Sequence, residues 1–233
     1  MAVPGRHNGM MDGDDDEDGI LFVEEGAFPE ADFEDTPPHL HDLAAAAVDG
    51  DVEALRHALD DLDGSIDQPV EDGDTALHLT CLYGHLACVQ LLLERGASVE
   101  AKDEDGAIPL HDACAGGFLE IAQLLIGKAD SPECVKRMLE SVDVEGDTPL
   151  HHAARGEHEE IVQLLLSIGA STSKTNVYGK TPGEMAEPNT ETWAILEAAA
   201  RRSAVAAQVF FLSIFSSHRR DASTTTLDYM KTL

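Results

Sequence analysis

A chain of 233 residues with 43% apolar content is long enough to bury a core, and an aromatic share of only 5% beside abundant Ala and Leu favours packed helices over stacked strands. Forty-five acidic residues against 15 basic ones leave a formal net charge of -30, which repels a nucleic-acid backbone or an anionic membrane and points to a basic partner. The opening MAVPGRHNGM carries neither the apolar core of a secretory signal nor the Arg- and Ser-rich composition of a transit peptide, so cytosol or nucleus is the expected compartment.

In chain order, residues 1–36 come first, with 12 acidic side chains and one basic one, including the run DGDDDEDG; such a segment cannot offset its ordering entropy by burial and is expected to be disordered. Within it Ile20, Leu21, Phe22, Phe28 and Phe33 interleave with acids, a composition shared by solvated tails, activation segments and acidic docking peptides. Residues 37–200 hold a repeated phrase. Residues 201–233 form an extension that is first apolar and basic, then polar. Its stretch from Val205 to Phe215 spans roughly 17 Å as helix, well short of the ~30 Å hydrocarbon core, so no membrane span is expected there. It could instead continue the last helix and cover the end of the folded part.

The repeated phrase reads GDTALHLTCLYGH from Gly73, GAIPLHDACAGGF from Gly106 and GDTPLHHAARGEH from Gly146. With Gly179 as a fourth anchor the spacings are 33, 40 and 33. A second phrase follows each copy: QLLL at 90–93, QLLI at 123–126 and QLLL at 163–166. Thr75, Leu77 and His78, then Pro109, Leu110 and His111, then Thr148, Pro149, Leu150 and His151 make this chain resemble the ankyrin repeat over roughly residues 39–200. It is similar to the small stand-alone members found in plants. The resemblance implies an all-α solenoid of about five helix-turn-helix units with β-hairpin-like fingers. Their expected limits are 37–69, 70–102, 103–142, 143–175 and 176–200, the outer two degenerate.

Each element of the phrase has a physical role. Thr75 and Thr148 can cap the first helix, and a proline at the first helical position loses no needed hydrogen bond. Gly84 and Gly117 suit the tight turn between the two helices, and the leucine runs face neighbouring units, because one unit cannot bury its own apolar face. Asp103 and Asp143 resemble the family's hairpin aspartates and are expected to be structural. Departures are informative too. The fourth copy has Glu157 at the turn-glycine position, so that turn is expected to be distorted; the last unit has Glu184 in place of the histidine. The 40-residue spacing reflects seven surplus residues within GKADSPECVKRMLESV, where Val135, Met138, Leu139 and Val142 recur at helical intervals and predict an extra packed turn of helix.

Eleven histidines raise the question of metal. His78, His111 and His151 would lie about one helix-packing distance apart, ~10 Å, too far to share an ion with bonds near ~2 Å. HEEIV at 158–162 lacks the second histidine of a zinc-protease motif, and no phosphate loop, dinucleotide fingerprint or nucleophile elbow occurs. Cys81 and Cys114 share a unit position that faces a neighbour, and with Cys88 and Cys134 they read as reduced, buried small hydrophobes. No catalytic residue, cofactor or metal is expected.

The resemblance implies binding of another protein along the face made by finger tips and first helices. Carried over by position, the tips contribute Asp72 and Asp74, then Glu104 and Asp105, then Glu145 and Asp147, then Tyr178 and Lys180. The first helices contribute Leu82 and Tyr83, then Ala115 with Gly116, and Arg155. An acidic ladder around Tyr83 suits a basic segment with an apolar anchor, bound by a monomeric adaptor or regulator. The alternatives are an acidic chaperone or assembly factor that shields basic clients, and acidic tips that only keep the array soluble.

Overall fold

The computed structural model describes residues 40–206 and 208, Asp72 excepted. The acidic tail, Asp72 and the apolar run beyond residue 208 therefore lie outside the described residues. Ten helices have defined limits: α1 His41–Asp49, α2 Val52–Asp60, α3 Ala76–Leu82, α4 Leu86–Glu94, α5 Pro109–Ala115, α6 Leu119–Gly127, α7 Pro132–Glu140, α8 Pro149–Arg155, α9 Glu159–Ser167 and α10 Pro182–Met185. An eleventh, α11, runs over 191–206. The first helices of successive pairs, α1, α3, α5, α8 and α10, pack side by side in that order, and α2, α4, α6 and α9 form a second row behind them.

The core is the repeated leucine pattern made three-dimensional. Leu77, Leu110 and Leu150 of the first row and Leu55, Leu92, Leu125 and Leu165 of the second are all buried, each pressed between its own unit and the next. Burial of one such side chain stabilises the fold by about 1.5–3 kcal/mol, so the array is held together by contacts that cross unit boundaries.

Short first helices survive because both ends are tied down. At α3 the Thr75 amide donates to His78 Nδ1 at 3.3 Å and the Thr75 hydroxyl lies 2.9 Å from the same nitrogen. At α8 the Thr148 amide and hydroxyl make the same pair of contacts to His151 Nδ1 at 3.0 and 2.8 Å. An accepting Nδ1 leaves Nε2 as the protonated nitrogen, and Nε2 reaches the next unit: Ala107 O from His78 at 3.4 Å and Lys180 O from His151 at 3.2 Å. Ile108 has no hydroxyl, yet its amide still donates to His111 Nδ1 at 3.0 Å. In the last unit Glu184 takes over the histidine's task, accepting from the Thr181 amide at 2.8 Å and hydroxyl at 2.9 Å.

The turn at Glu157 is not distorted. Its φ of 56° matches the left-handed setting of Gly84 and Gly117, both at 78°. The closing bond from His158 N to Ala153 O is 3.0 Å, beside 2.8 Å from His85 N to Thr80 O. Glycine is needed earlier for a different reason: a Cβ on Gly84 would stand 2.4 Å from the Phe118 ring of the next unit, and one on Gly117 would stand 2.7 Å from His158. The Glu157 carboxylate accepts from the Glu187 amide at 2.6 Å.

Two other expectations are revised. The insert forms a full nine-residue helix, α7, started by the Ser131 hydroxyl accepting from the Cys134 amide at 3.1 Å, and it buries Cys134, Met138 and Leu139. The fingers are turns and not strand pairs: among the described residues the isolated bridge is Glu71 with Asp74. Neighbouring fingers are linked by single backbone bonds, from Val144 N to Asp105 O at 2.7 Å and from Val177 N to Glu145 O at 2.8 Å. The helix α11 does continue into the extension, with Leu196 buried, but residues 201–206 are exposed and so do not cover the stack.

Candidate functional site

Repetition places equivalent side chains in columns along the first-helix row, from buried or half-buried positions to exposed ones. One column runs Leu79, Asp112, His152; the next runs Leu82, Ala115, Arg155; a third runs Tyr83, Gly116, Gly156. Leu82 is 43% exposed and Tyr83 38%, high values for apolar side chains at the end of a buried helix. Tyr83 stacks on His85 with ring centroids 6.2 Å apart, and His85 Nε2 is anchored on Val48 O at 2.8 Å. The tyrosine is thus braced against the preceding unit and held at the surface.

The finger aspartates are structural. Asp103 Oδ1 accepts from the Ala107 amide at 2.8 Å, and Asp143 Oδ1 accepts from the amides of Glu145 and Asp147, both at 2.9 Å. Asn176 does the same in the next finger, accepting from Tyr178 N and Lys180 N at 3.0 Å. A side chain that closes its own finger in this way repeats in register with the capping histidines. The family model for ankyrin repeats (3 copies) matches residues 43–132 and again 128–207. The chain belongs to the ankyrin-repeat family. Comparison with curated proteins gave no match. Ankyrin repeats are generally protein-protein interaction modules.

On this ankyrin array most of the expected edge residues are accessible. Glu104, Asp105, Glu145, Lys180 and Ala115 are exposed, and Tyr178 is 68% exposed. Asp74 is half-buried, and Asp72 lies outside the described residues. Asp147 is the correction. Its side chain is fully buried, clamped between the Arg155 guanidinium and Asn176 Nδ2, which donates to it at 2.8 Å. Arg155 also reaches Glu145 at 3.8 Å, so its charge is spent inside the repeat. Sequence reasoning missed Val144 and Val177, which are 64% and 65% exposed at the finger tips. The missed signal is their position: one residue after a finger-closing Asp or Asn, where the side chain turns outward.

Asp143, Asp147 and His152 bring ligand-type atoms within 4.8 Å of one another. They already satisfy each other, because His152 Nε2 lies 2.8 Å from Asp143 Oδ2 and Arg155 occupies Asp147. Burial opposes ionisation of Asp143, but the hydrogen bonds from His152 and the Asp147 amide outweigh it and hold that carboxyl below the ordinary range. Burial pushes the Cys81 and Cys114 thiols well up, as suits inert core positions. Among the described residues no helix is long and apolar enough to cross a membrane.

Proposed function

We propose that this ankyrin-repeat protein is an adaptor or regulator whose first-helix edge and finger tips bind a basic, partly apolar segment of another protein. The observation that carries the reading is the exposed pair Leu82 and Tyr83, with Tyr83 braced by His85, on an array whose finger tips expose the acids Glu104 and Asp105. The aromatic supplies buried contact area, and the acids steer a cationic partner and reject anionic ones.

The test is affinity capture with the full chain beside a variant carrying Leu82→Ala, Tyr83→Ala, Glu104→Ala and Asp105→Ala, washed at low and high salt. The expected result is one defined protein held by the native edge through the high-salt wash and lost from the variant while both remain folded. Capture of the same proteins by both would sink the reading. Many basic proteins, all released by salt, would favour the shielding role over the adaptor role.

A further inference from the structure

The first unit of a stack has one face that no earlier unit covers. Counted from the turn glycines Gly50 and Gly84, Ala45, Ala46, Ala54, His57 and Ala58 of α1 and α2 correspond to Leu79, Thr80, Cys88, Leu91 and Leu92 of α3 and α4. Those five are buried, with α1 and α2 packed against α3 and α4. In the first unit the same positions instead line an open groove of about 380 Å³. That volume falls within the ~300–1,000 Å³ of ligand clefts.

A terminal unit that needs only to stay wet carries polar side chains across its outer face. Here the floor is cut back to alanine, and the carboxylates stand at the two ends of the groove: Asp49 and Asp51 at the turn between α1 and α2, Asp42 and Asp61 at the other end. Asp51 caps α2, accepting from the Glu53 and Ala54 amides at 3.0 Å. The other three have no ion pair among the described residues. Asp49 is the last residue of α1 and Asp61 the C-cap of α2, where the helix dipole opposes a negative charge. Neither placement serves its own helix, and a cation arriving at the groove offsets both.

The chain carries a segment of complementary order. From Arg201 to Arg220 there are four arginines and no acid, and VFFLSIF at 209–215 runs between the two arginine pairs. The described beginning of this segment is exposed, Val205 to 61%. Its aromatic run is too close to α11 to reach the groove of its own chain. From α10 to α1 the first-helix row takes four packing steps, roughly 32–40 Å, whereas Phe210 lies four residues past 206, at most roughly 14 Å of extended chain. Residues 1–36, with 12 acids and one base, have the sign of the groove itself.

We propose that the groove between α1 and α2 receives the apolar and basic segment 209–220 of a second copy, joining the chain to itself head to tail. Phenylalanine side chains cover the alanine floor, and arginines pair with the carboxylates at its ends. The contact is heterologous: each copy gives its segment to one neighbour and its groove to another. It stands in place of the monomer expected from the sequence, and it is independent of the binding edge, since neither Leu82 nor Tyr83 lines the groove.

The test is sedimentation of the full chain beside full-length variants. Ala54→Arg puts a long cation on an exposed floor position, and Asp49→Lys with Asp61→Lys reverses the charge at the groove ends. A third variant carries Phe210→Asp, Phe211→Asp and Phe215→Asp. The native chain is expected to assemble beyond the monomer as concentration rises, and each variant to do so at least about tenfold more weakly. Mixing either groove variant with the phenylalanine variant is expected to restore a pair and stop at two, because one supplies an intact segment and the other an intact groove. A native chain that stays monomeric at about 100 μM overturns the proposal. So does a mixture that forms no pair. Assembly lost only in the phenylalanine variant places the segment elsewhere, and assembly lost only in the groove variants gives the groove another occupant; either result overturns it. The lysine variant suits both helix ends, so its loss of assembly is not a loss of fold.

Discussion

The Glu157 carboxylate accepts the Glu187 amide at 2.6 Å, tying the fourth unit's turn to the segment between α10 and α11 across 30 residues. The same residue holds a left-handed φ of 56°, which costs a non-glycine on the order of 1 kcal/mol. Glu157→Ala keeps the strain and loses the bond, and is expected to destabilise the fold by about 1–2 kcal/mol. Glu157→Gly loses the bond and the strain together and should fall within about 0.5 kcal/mol of the native protein. Urea unfolding of the three proteins checks both; equal losses for Ala and Gly would show that the turn is unstrained.

The capping histidines give the array a defined acid limit. Burial holds His78 and His151 below the ordinary imidazole value and brings His111 down to about 4. An added proton on Nδ1 would also face the amide it now accepts from. For a base whose folded pKa is depressed, the contribution to stability is complete above the unfolded value of about 6.5 and is lost as pH falls toward the folded value. Melting temperature is therefore expected to fall as pH drops below about 6.5, with the His111 ring remaining neutral by NMR until close to pH 4. A His111 that titrates near 6.5 in the folded protein would refute this account.

The helical order, the capping roles and the inert cysteines were legible in the sequence because each is written several times in register. What is written once was harder. The distortion expected at Glu157 does not occur: its backbone takes the same left-handed setting as Gly84 and Gly117, where rings of the following unit, Phe118 and His158, also leave no room for a Cβ. Asp147 looked like a surface acid by position, yet Arg155 on the same unit and Asn176 on the next bury it. Pairings that cross units have no local spacing to betray them.

The insert tests whether α7 is held by its core or by its surface. Met138 is 1% exposed, and Met138→Ala is expected to cost about 2–4 kcal/mol. Arg137 makes a two-pronged contact with Glu100 at 2.8 and 2.7 Å, but both groups face solvent, so Arg137→Ala should cost far less than Met138→Ala and less again in high salt. Thermal melts of the two variants decide the matter; a larger loss at Arg137 would make the ion pair the anchor of the insert.

Asp112 makes stability depend on pH. The groups facing it are Asp74 and Asp103 from the fingers, the Cys81 thiol on α3 and the Cys114 thiol on its own helix, while His152 of the adjacent α8 is already engaged by Asp143. A carboxyl whose folded pKa is raised to about 8 costs nothing below its unfolded value near 4, and its cost grows as pH climbs toward 8. Asp112→Asn should therefore match the native protein at pH 4.5 and exceed it by on the order of 1–2 kcal/mol at pH 8.5. Urea unfolding at the two pH values checks this; no gain for Asp112→Asn at pH 8.5 would mean that the Asp112 carboxyl ionises in the folded protein within its ordinary range.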